Sequence, residues 1–494
     1  MPLWPLPRWL CLLLLIFILK QTLAVVVVPP FSGHDEVAHL TYARILANEG
    51  RIPTLPDLES WRQAQASAAM TTDDDSLLPG DDLPDDLYPW CRFVLDWYCA
   101  PDEPLWSSDP PHVVTVSGEY FPSGFVYTAN HPPLYYATMA PLIWMVAELP
   151  PVWQQALLRL WAIPFGLAVV VCGWIVPRVL FGGDQFLAIS IPLALAFQPQ
   201  ISYEAGLINN DIAGIATASV VFTLIVIAMR DQFPLRVAFA LGVSIGLGML
   251  TRSNVAMVVP VTILAVLSSL GPSHWRSVCK TLVVIGAVAL ALVAPWWWWM
   301  YSTYGSIDGL NRIGELQGWW NIPEGSFLQL LTSPEFHWLR FKETWGEYGW
   351  RLIHLDGSLL FALAAVSLLC VIGLAMWGLL VARDSGAPND AVEHPEPWQV
   401  QTVLVLFSAC VVGYLAVVQF GTAFALTQAR YYFPVALPVA VLCMLGLRTI
   451  CPVRWRPWAP FGLLIGWTAL TLLLLFGYVL PFHDSIVAEM PWIT

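Results

Sequence analysis

The feature that most constrains this chain is a series of apolar runs, each close to the roughly 20 residues that cross a bilayer as a helix. Only 12% of the 494 residues are charged, too few to cover a soluble protein of this size. Lipid gives backbone groups no hydrogen-bond partners, so each run is predicted to be a helix. The twelve runs lie near residues 9–28, 132–149, 155–177, 186–201, 209–229, 235–251, 255–271, 280–299, 357–382, 400–420, 431–450 and 459–480. We therefore expect an all-α polytopic membrane protein.

The positions of basic residues predict how these helices cross the membrane. Lys and Arg prefer cytoplasmic loops, and this preference places the N-terminus in the cytoplasm and the loops 29–130 and 197–211 outside. Two loops on one side must be separated by an even number of crossings, but three runs lie between them. The run 132–149 contains Pro141 and is predicted not to span. About eleven transmembrane helices remain, in a multi-pass protein of the plasma (inner) membrane.

This topology divides the chain into six expected parts. The first helix lacks a small-residue cleavage site and is predicted to be a retained signal anchor. The expected parts are a signal-anchor transmembrane helix (1–30), an acidic extracytoplasmic loop with an interfacial helix (31–130), a transmembrane bundle (131–299), a second extracytoplasmic loop (300–356), a C-terminal transmembrane bundle (357–480) and an extracytoplasmic tail (481–494).

The acidic residues are concentrated in the first outer loop. Residues 29–130 contain 17 Asp and Glu against four Lys and Arg, an excess of 13 that equals the whole net charge of −13. Such a surface repels the phosphate backbone and argues against nucleic acid as a partner. The sequence gives no indication of what the acidic insert at 57–110 does.

The first exit from the membrane, "SGHDEVAHLTYARILANEGRIP", has an unusual set of polar residues. Ser32 and Asp35 form a helix-start pattern, and Gly50 is a stop signal, so a short helix from Asp35 is expected on the outer membrane surface. Asp35, His39 and Tyr42 share one face of that helix. Capping of the helix by Asp35 explains one carboxylate; it leaves Glu36 and the histidines unexplained.

Four later segments carry further polar residues to membrane boundaries. "NHPPLYY" leaves His131 and its tyrosines, among them Tyr135, free to face a cavity. Asp211 begins a helix, where capping is the alternative explanation. Arg252 is costly in an apolar hairpin unless it is paired or lies at an interface. Arg430 stands at an outer helix end, where it either pairs with Asp35 or Asp211 or binds an anion such as phosphate.

Seven motifs, taken in their order along the chain, resemble those of glycosyltransferase family 39-like proteins, the protein O-mannosyltransferase and aminoarabinose transferase relatives. The motifs are "HDEVAHLTYARILANEGRIP", "NHPPLYY", "INND", "GLGMLTRSN", "PWWWWMYSTYG", "TWGEYGW" and "QARYYFP". The resemblance implies an integral-membrane helix bundle of the glycosyltransferase-C fold. It also implies a polyprenyl-phosphate sugar as donor, used at the outer face.

The resemblance further implies roles for individual residues. Asp35 would be the general base on the acceptor hydroxyl, with Glu36 as its partner acid. His131 would contact the donor phosphate, although relatives carry Lys or another polar residue there. Asp211 would be a further site acid, and Arg430 would neutralise the leaving phosphate. The substrate-binding residues expected in all are His39, Tyr42, His131, Tyr135, Asp211, Arg252, Trp345, Arg430 and Tyr431.

These roles predict a membrane glycosyltransferase that inverts the sugar's configuration, with an acceptor that is a protein, a glycan or a lipid. A secondary transporter or flippase-like protein for a lipid or small solute is the alternative. Transporters place charged sites near the midplane and show duplicated halves, whereas these carboxylates lie at the rim. No cofactor is certain. A divalent cation is possible, because Asp35, Glu36 and His39 are oxygen and nitrogen ligands, but no zinc spacing is present.

Overall fold

A computed structural model describes residues 7–30, 32–59, 126–316, 323–346, 348, 353–383, 392–424 and 427–484. Apart from one bridge between Tyr348 and Ile353, these residues form helices and their connections. The expected all-α fold is therefore confirmed over the described part of the chain. Most of the acidic insert at 57–110 lies outside it.

Nineteen α-helices, numbered in chain order, make up the described part. The first half contains α1 (Arg8–Val27), α2 (Glu36–Glu49), α3 (Leu134–Val146), α4 (Pro151–Arg159), α5 (Ile163–Leu180), α6 (Gln185–Phe197), α7 (Pro199–Glu204), α8 (Asp211–Arg230), α9 (Leu235–Thr251) and α10 (Val258–Leu270). The second half contains α11 (Trp275–Tyr304), α12 (Leu310–Leu316), α13 (Phe327–Thr332), α14 (Pro334–Trp345), α15 (Gly357–Arg383), α16 (Pro397–Gly421), α17 (Ala436–Ile450), α18 (Ala459–Leu474) and α19 (Leu480–Phe482).

Nine helical stretches in the described ranges are long and apolar enough to cross a bilayer. They are Arg8–Val27, Val152–Leu180, Asp211–Arg230, Ser253–Leu270, Pro272–Tyr304, Gly357–Arg383, Pro397–Gly421, Ala429–Ile450 and Ala459–Phe482. Three shorter apolar helices, α3, α6 and α9, lie beside these. At 13 residues each, α3 and α6 are about 20 Å long, too short to span a core of about 30 Å alone, and the 17 residues of α9 reach about 26 Å. The expected number of about eleven crossings stays a prediction. The chain is a multi-pass membrane protein.

The helix α8 forms the centre of the bundle. Its apolar window is 78% buried, whereas that of α15 is only 17% buried. It packs against α5 and α9, and its first residue is Asp211. Gly214, one turn later, lies against the side chain of Arg252 and leaves room for it. Helix α8 thus places the carboxylate of Asp211 at one end of the bundle core.

The helices α15 and α17 touch backbone to backbone at a pair of glycines. A methyl group on Gly373 would overlap the carbonyl group of Gly446, and one on Gly446 would overlap the carbonyl of Cys370. Small residues at a crossing let two membrane helices approach this closely. The mostly lipid-exposed α15 is therefore tied to α17, which continues directly from a 3-10 helix at Ala429–Val435.

The short helix α2 ends as expected but begins differently. Gly50 adopts φ 68° and donates its N–H to Leu46, as a left-handed C-cap does. Ser32 does not cap the helix, because its hydroxyl donates to the Pro29 carbonyl. The residues Ala38, Leu40 and Tyr42 are fully enclosed. Helix α2 is thus packed within the protein on these sides, where a surface helix was expected.

Candidate active site

Asp35 and Arg430 form a buried ion pair between the first exit and the start of the helical stretch that carries α17. Nη2 of Arg430 donates to Oδ2 of Asp35 at 2.7 Å. The hydroxyl of Tyr127 donates to the other carboxylate oxygen at 2.8 Å. Both oxygens of Asp35 are therefore held by donors from distant parts of the chain.

A second acid and a second cation extend this pair. Asp211 lies 3.3 Å from Nη1 of Arg430 and 2.8 Å from Nη2 of Arg252. Nη1 of Arg252 donates to the side-chain oxygen of Asn210 at 2.6 Å. The row Asp35–Arg430–Asp211–Arg252 alternates in sign, so the four charges balance one another in a buried setting.

The backbone shows that Asp35 does not serve as a helix cap. Its φ of 54° is left-handed, and its side chain makes no capping hydrogen bond to α2. A non-glycine residue in this region is strained unless its surroundings hold it there. Burial acts to raise the pKa of Asp35, but Arg430 and Tyr127 outweigh it and hold the pKa below its usual range. Asp35 is therefore an ionised carboxylate with its side chain directed away from its own helix.

A cavity of about 390 Å³ opens beside this row of charges. Of the residues singled out in the sequence, those that line it are Asp35, His131, Arg252, Arg430 and Tyr431. The ring of Tyr431 lies 5.8 Å from the guanidinium of Arg252 and 5.6 Å from that of Arg430. Two cations, the carboxylate of Asp35 and an imidazole thus line one cavity, together with a second carboxylate, that of Asp308.

Behind the cavity wall lies a cluster of histidine and tyrosine side chains. The Tyr136 hydroxyl lies 2.7 Å from Nδ1 of His39 and 3.2 Å from Nδ1 of His131. Tyr42 stacks on Tyr136 at 3.8 Å and donates its hydroxyl to the His131 carbonyl. Burial, followed by the positive charge of Arg252, lowers the pKa of His39 well below its ordinary range. Burial, His39 and Arg252 do the same for the pKa of His131, so both imidazoles are neutral near pH 7.

Glu36 points away from the cavity and is bound by Arg159. The guanidinium contacts both carboxylate oxygens at 2.7 Å and also donates to the carbonyls of Val28 and Pro29. The backbone N–H groups of Gly33 and Ile208 complete the set of donors to Glu36. This geometry favours an anchoring role, in which Glu36 holds the exit of α1 in place. A catalytic role for Glu36 stays a prediction.

Several other predicted site residues lie outside the cavity lining. Trp345 stacks on Trp467 at 6.0 Å, Tyr135 is buried within the packing around α2, and Asp211 supports the two arginines from behind. Their contact with a substrate stays a prediction. In the part of the chain that the structure describes, no group of three or more His, Cys, Asp or Glu side chains is placed to hold a metal ion.

Three supporting residues were missed in the sequence. Arg159 interrupts an apolar stretch, and a charge in that setting is itself a signal of a buried partner. Tyr127 lies in a loop without any pattern that marks it. Glu343 of α14 accepts the backbone N–H of Ala429 at 2.8 Å and so holds the turn that carries Arg430. It directly precedes the motif "TWGEYGW", whose tryptophans drew attention instead.

Known proteins share part of the sequence pattern and the fold of this chain. The model of the family described as dolichyl-phosphate-mannose-protein mannosyltransferase matches residues 130–299. No curated protein matches by sequence. The resemblance indicated by the seven motifs is thus confirmed over about a third of the chain by the family model.

Two solved structures share the fold. The first is ArnT from Cupriavidus metallidurans bound to undecaprenyl phosphate, with a TM-score of 0.51 and 13% identity over 96% of this chain and 73% of that chain. The second is the oligosaccharyltransferase AglB from Archaeoglobus fulgidus, in complex with an inhibitory peptide and a dolichol-phosphate. Its TM-score is 0.51 at 12% identity, over 95% of this chain and 55% of that chain. Together the family match and the shared fold indicate that this chain is a membrane glycosyltransferase of the glycosyltransferase-C fold.

Proposed function

We propose that this protein transfers a sugar from a polyprenyl-phosphate donor to an acceptor hydroxyl at the extracytoplasmic face, with inversion and with Asp35 as the base. The observation that carries the proposal is that Asp35, Arg252 and Arg430 face one cavity. A base for the acceptor and cations for the departing phosphate are the two things this reaction needs.

The two arginines supply the phosphate site. A polyprenyl-phosphate sugar carries a single negative charge, and its phosphate gains a second as the sugar leaves. Guanidinium groups bind phosphate oxygens through paired N–H donors. In the structure both are engaged by carboxylates, with Arg430 on Asp35 and Asp211, and Arg252 on Asp211. A phosphate that enters the cavity therefore competes with these carboxylates for the same donors.

This competition would activate Asp35. When the phosphate draws Arg430 away, Oδ2 of Asp35 loses its strongest partner and gains basicity. The acceptor oxygen then attacks the anomeric carbon from the face opposite the phosphate, and the bond between that carbon and the phosphate oxygen breaks. The acceptor proton passes to Asp35, and polyprenyl phosphate leaves with the bonding electrons. A single displacement of this kind inverts the anomeric configuration.

An apolar groove offers a place for the lipid tail. A groove of about 270 Å³ runs between α9, α10 and α11, lined by side chains such as Met249, Val259 and Trp297. One of its lining residues, Val259, is two positions along the chain from Met257, which lines the charged cavity. The fold relatives bound to undecaprenyl phosphate and dolichol-phosphate support a lipid-phosphate donor. Because this chain spans about half of the AglB chain, the acceptor is left open among proteins, glycans and lipids.

The test is turnover by the purified protein. Polyprenyl phosphates that carry radiolabelled hexoses or pentoses are incubated with the protein in detergent, with an envelope fraction as acceptor source. We expect label to leave the lipid and free polyprenyl phosphate to accumulate. The alternative function, transport, predicts intact labelled lipid that crosses the bilayer of proteoliposomes without cleavage. That result would overturn the proposal.

A further inference from the structure

The hydroxyl group of Tyr136 lies between the Nδ1 atoms of two histidines. It is 2.7 Å from Nδ1 of His39 and 3.2 Å from Nδ1 of His131. Among the described residues these two nitrogens are the only hydrogen-bond partners of the hydroxyl, so its single proton is donated to one imidazole and its oxygen accepts from the other. Since burial and the nearby arginines keep both rings neutral, the two histidines must be opposite tautomers. The nitrogen that carries the proton in His39 therefore determines the one that carries it in His131.

The surroundings of His39 decide between the two arrangements. Its Nε2 is enclosed and has no hydrogen-bond partner among the described residues. A buried N–H without a partner is rarer in proteins than an acceptor without one. Both separations from Tyr136 are compatible with donation in either direction. His39 thus carries its proton on Nδ1 and donates it to the Tyr136 oxygen.

The consequence reaches the cavity. Tyr136 then donates its own proton to Nδ1 of His131, and His131 must carry its proton on Nε2. His131 lines the cavity, and Nε2 is the nitrogen left to face a ligand.

We propose that His39 and Tyr136 act as positioning residues, which fix His131 as a neutral N–H donor toward an oxygen of the phosphate or sugar. This inference rests on the proposed function. It adds that His131 supplies a third, uncharged donor beside the two arginines and does not take the acceptor proton.

The tautomers are measured directly by NMR, independently of any activity. The nine histidines are labelled with ¹⁵N in their rings in the full-length protein in detergent, and His39→Gln and His131→Gln variants assign the signals. We expect a proton on Nε2 of His131 and on Nδ1 of His39. A proton on Nδ1 of His131 in the unliganded protein would overturn the inference, even if sugar transfer is established.

A hydroxyl-deletion pair provides the control. Tyr136→Phe keeps the ring stack but removes the shared hydroxyl, so His131 should populate both tautomers. Tyr42→Phe removes a neighbouring hydroxyl that contacts the His131 backbone rather than its ring. It should leave the imidazole signals unchanged. Equal effects of the two variants would show a general packing change and would contradict the proposal.

Binding of undecaprenyl phosphate then tests the consequence for function. Tyr136→Phe should weaken binding by the inverse of the fraction of His131 that keeps its proton on Nε2, roughly twofold when both tautomers are equally populated. His131→Gln provides an amide N–H that does not depend on a tautomer, so binding should be largely retained. In that background Tyr136→Phe should have no further effect. If Tyr136→Phe weakens binding in the His131→Gln background as much as it does in the wild type, Tyr136 does not act through His131. If the wild-type protein fails to bind this lipid at all, the proposed function fails, while the tautomer result stands separately.

Discussion

Arg430 and Asp35 lie 395 positions apart in the sequence, and their side chains meet at 2.7 Å. This contact joins the first exit of the chain from the membrane to the beginning of one of its last spanning helices. It also makes the base and the phosphate-binding cation of the proposed reaction mutual partners before substrate arrives. When phosphate binds, Arg430 would exchange its contact with Asp35 for one with the phosphate, and the predictions below depend on this exchange.

Replacement of Asp35 by Asn should separate catalysis from binding. The variant loses the base, so turnover should fall by about 10²- to 10⁴-fold. It also frees Arg430 from a competing carboxylate, so undecaprenyl phosphate should bind at least as tightly as in the wild type. Asn tolerates the left-handed backbone of position 35 well, so the melting temperature serves as the folding control. Turnover near the wild-type rate would rule out Asp35 as the base.

Replacement of Arg430 by Gln should weaken lipid-phosphate binding by about 10- to 100-fold, because a charged hydrogen-bond donor is lost. It also leaves buried Asp35 unpaired, which costs about 3–5 kcal/mol of stability. The matched control is Arg448→Gln, at the other end of the same helical stretch, where Arg448 pairs with Asp184 at 2.8 Å. Calorimetric binding should separate the two variants, although both are destabilised. Equal binding losses would mean that Arg430 is only structural.

Glu36 should behave as a structural anchor in the same assays. Glu36→Gln removes a charge from a fully enclosed pair with Arg159, so we expect a loss of about 3–5 kcal/mol in unfolding free energy. The double variant with Arg159→Met should lose less than the sum of the single variants. Thermal unfolding in detergent measures both. A stable Glu36→Gln variant with abolished turnover would instead support the catalytic role implied by the family resemblance.

The pH dependence of the rate should reveal the exchange of partners on Asp35. In the free enzyme Arg430 and Tyr127 hold the pKa of Asp35 below its usual range. The acid limb of kcat/KM, which reports the free enzyme, should therefore lie below about pH 4. In the complex the phosphate shares Arg430, so the acid limb of kcat should lie at higher pH. An inflection of kcat/KM near pH 6.5 that disappears in His131→Gln would contradict the neutral state of that histidine.

Glu343 should control the position of Arg430 from a distance. Its carboxylate accepts the N–H of Ala429, so Glu343→Ala should loosen the turn and weaken undecaprenyl phosphate binding by about 3- to 10-fold. Glu335 is on the same helix α14 but exposed, and Glu335→Ala is the matched control. Binding is measured as for Arg430. Equal values for the two variants would show that the Ala429 contact has no effect on the cation.

The sequence predicted the helices and much of the cavity wall, because both depend on local signals. Apolar length marks spanning helices, and charged residues such as Arg252 and Arg430 stand out where an apolar run ends. Burial of α2 was not predictable in this way. Its enclosure depends on which helices cross above and beside it, and its own periodicity is weak.

The partners of each charge were also beyond the reach of local patterns. Both Asp35 and Glu36 were expected at the site, yet Asp35 precedes α2 in a left-handed conformation and Glu36 is the first residue of the helix, so their side chains point in different directions. Asp35 faces the cavity, whereas Glu36 faces Arg159. Which of the two acids faces the cavity depends on the position of Arg159, which lies 123 residues after Glu36. The pairing of Tyr127 with Asp35 is equally a product of the tertiary fold.

The contact between Gly373 and Gly446 has a consequence for the surrounding bilayer. It joins α15, the more exposed of the two helices, to the helical stretch Ala429–Ile450, which carries Arg430. A bilayer whose thickness makes α15 tilt would pass that tilt to this stretch. The depth of the Arg430 guanidinium relative to the lipid head groups would then depend on the acyl-chain length of the membrane.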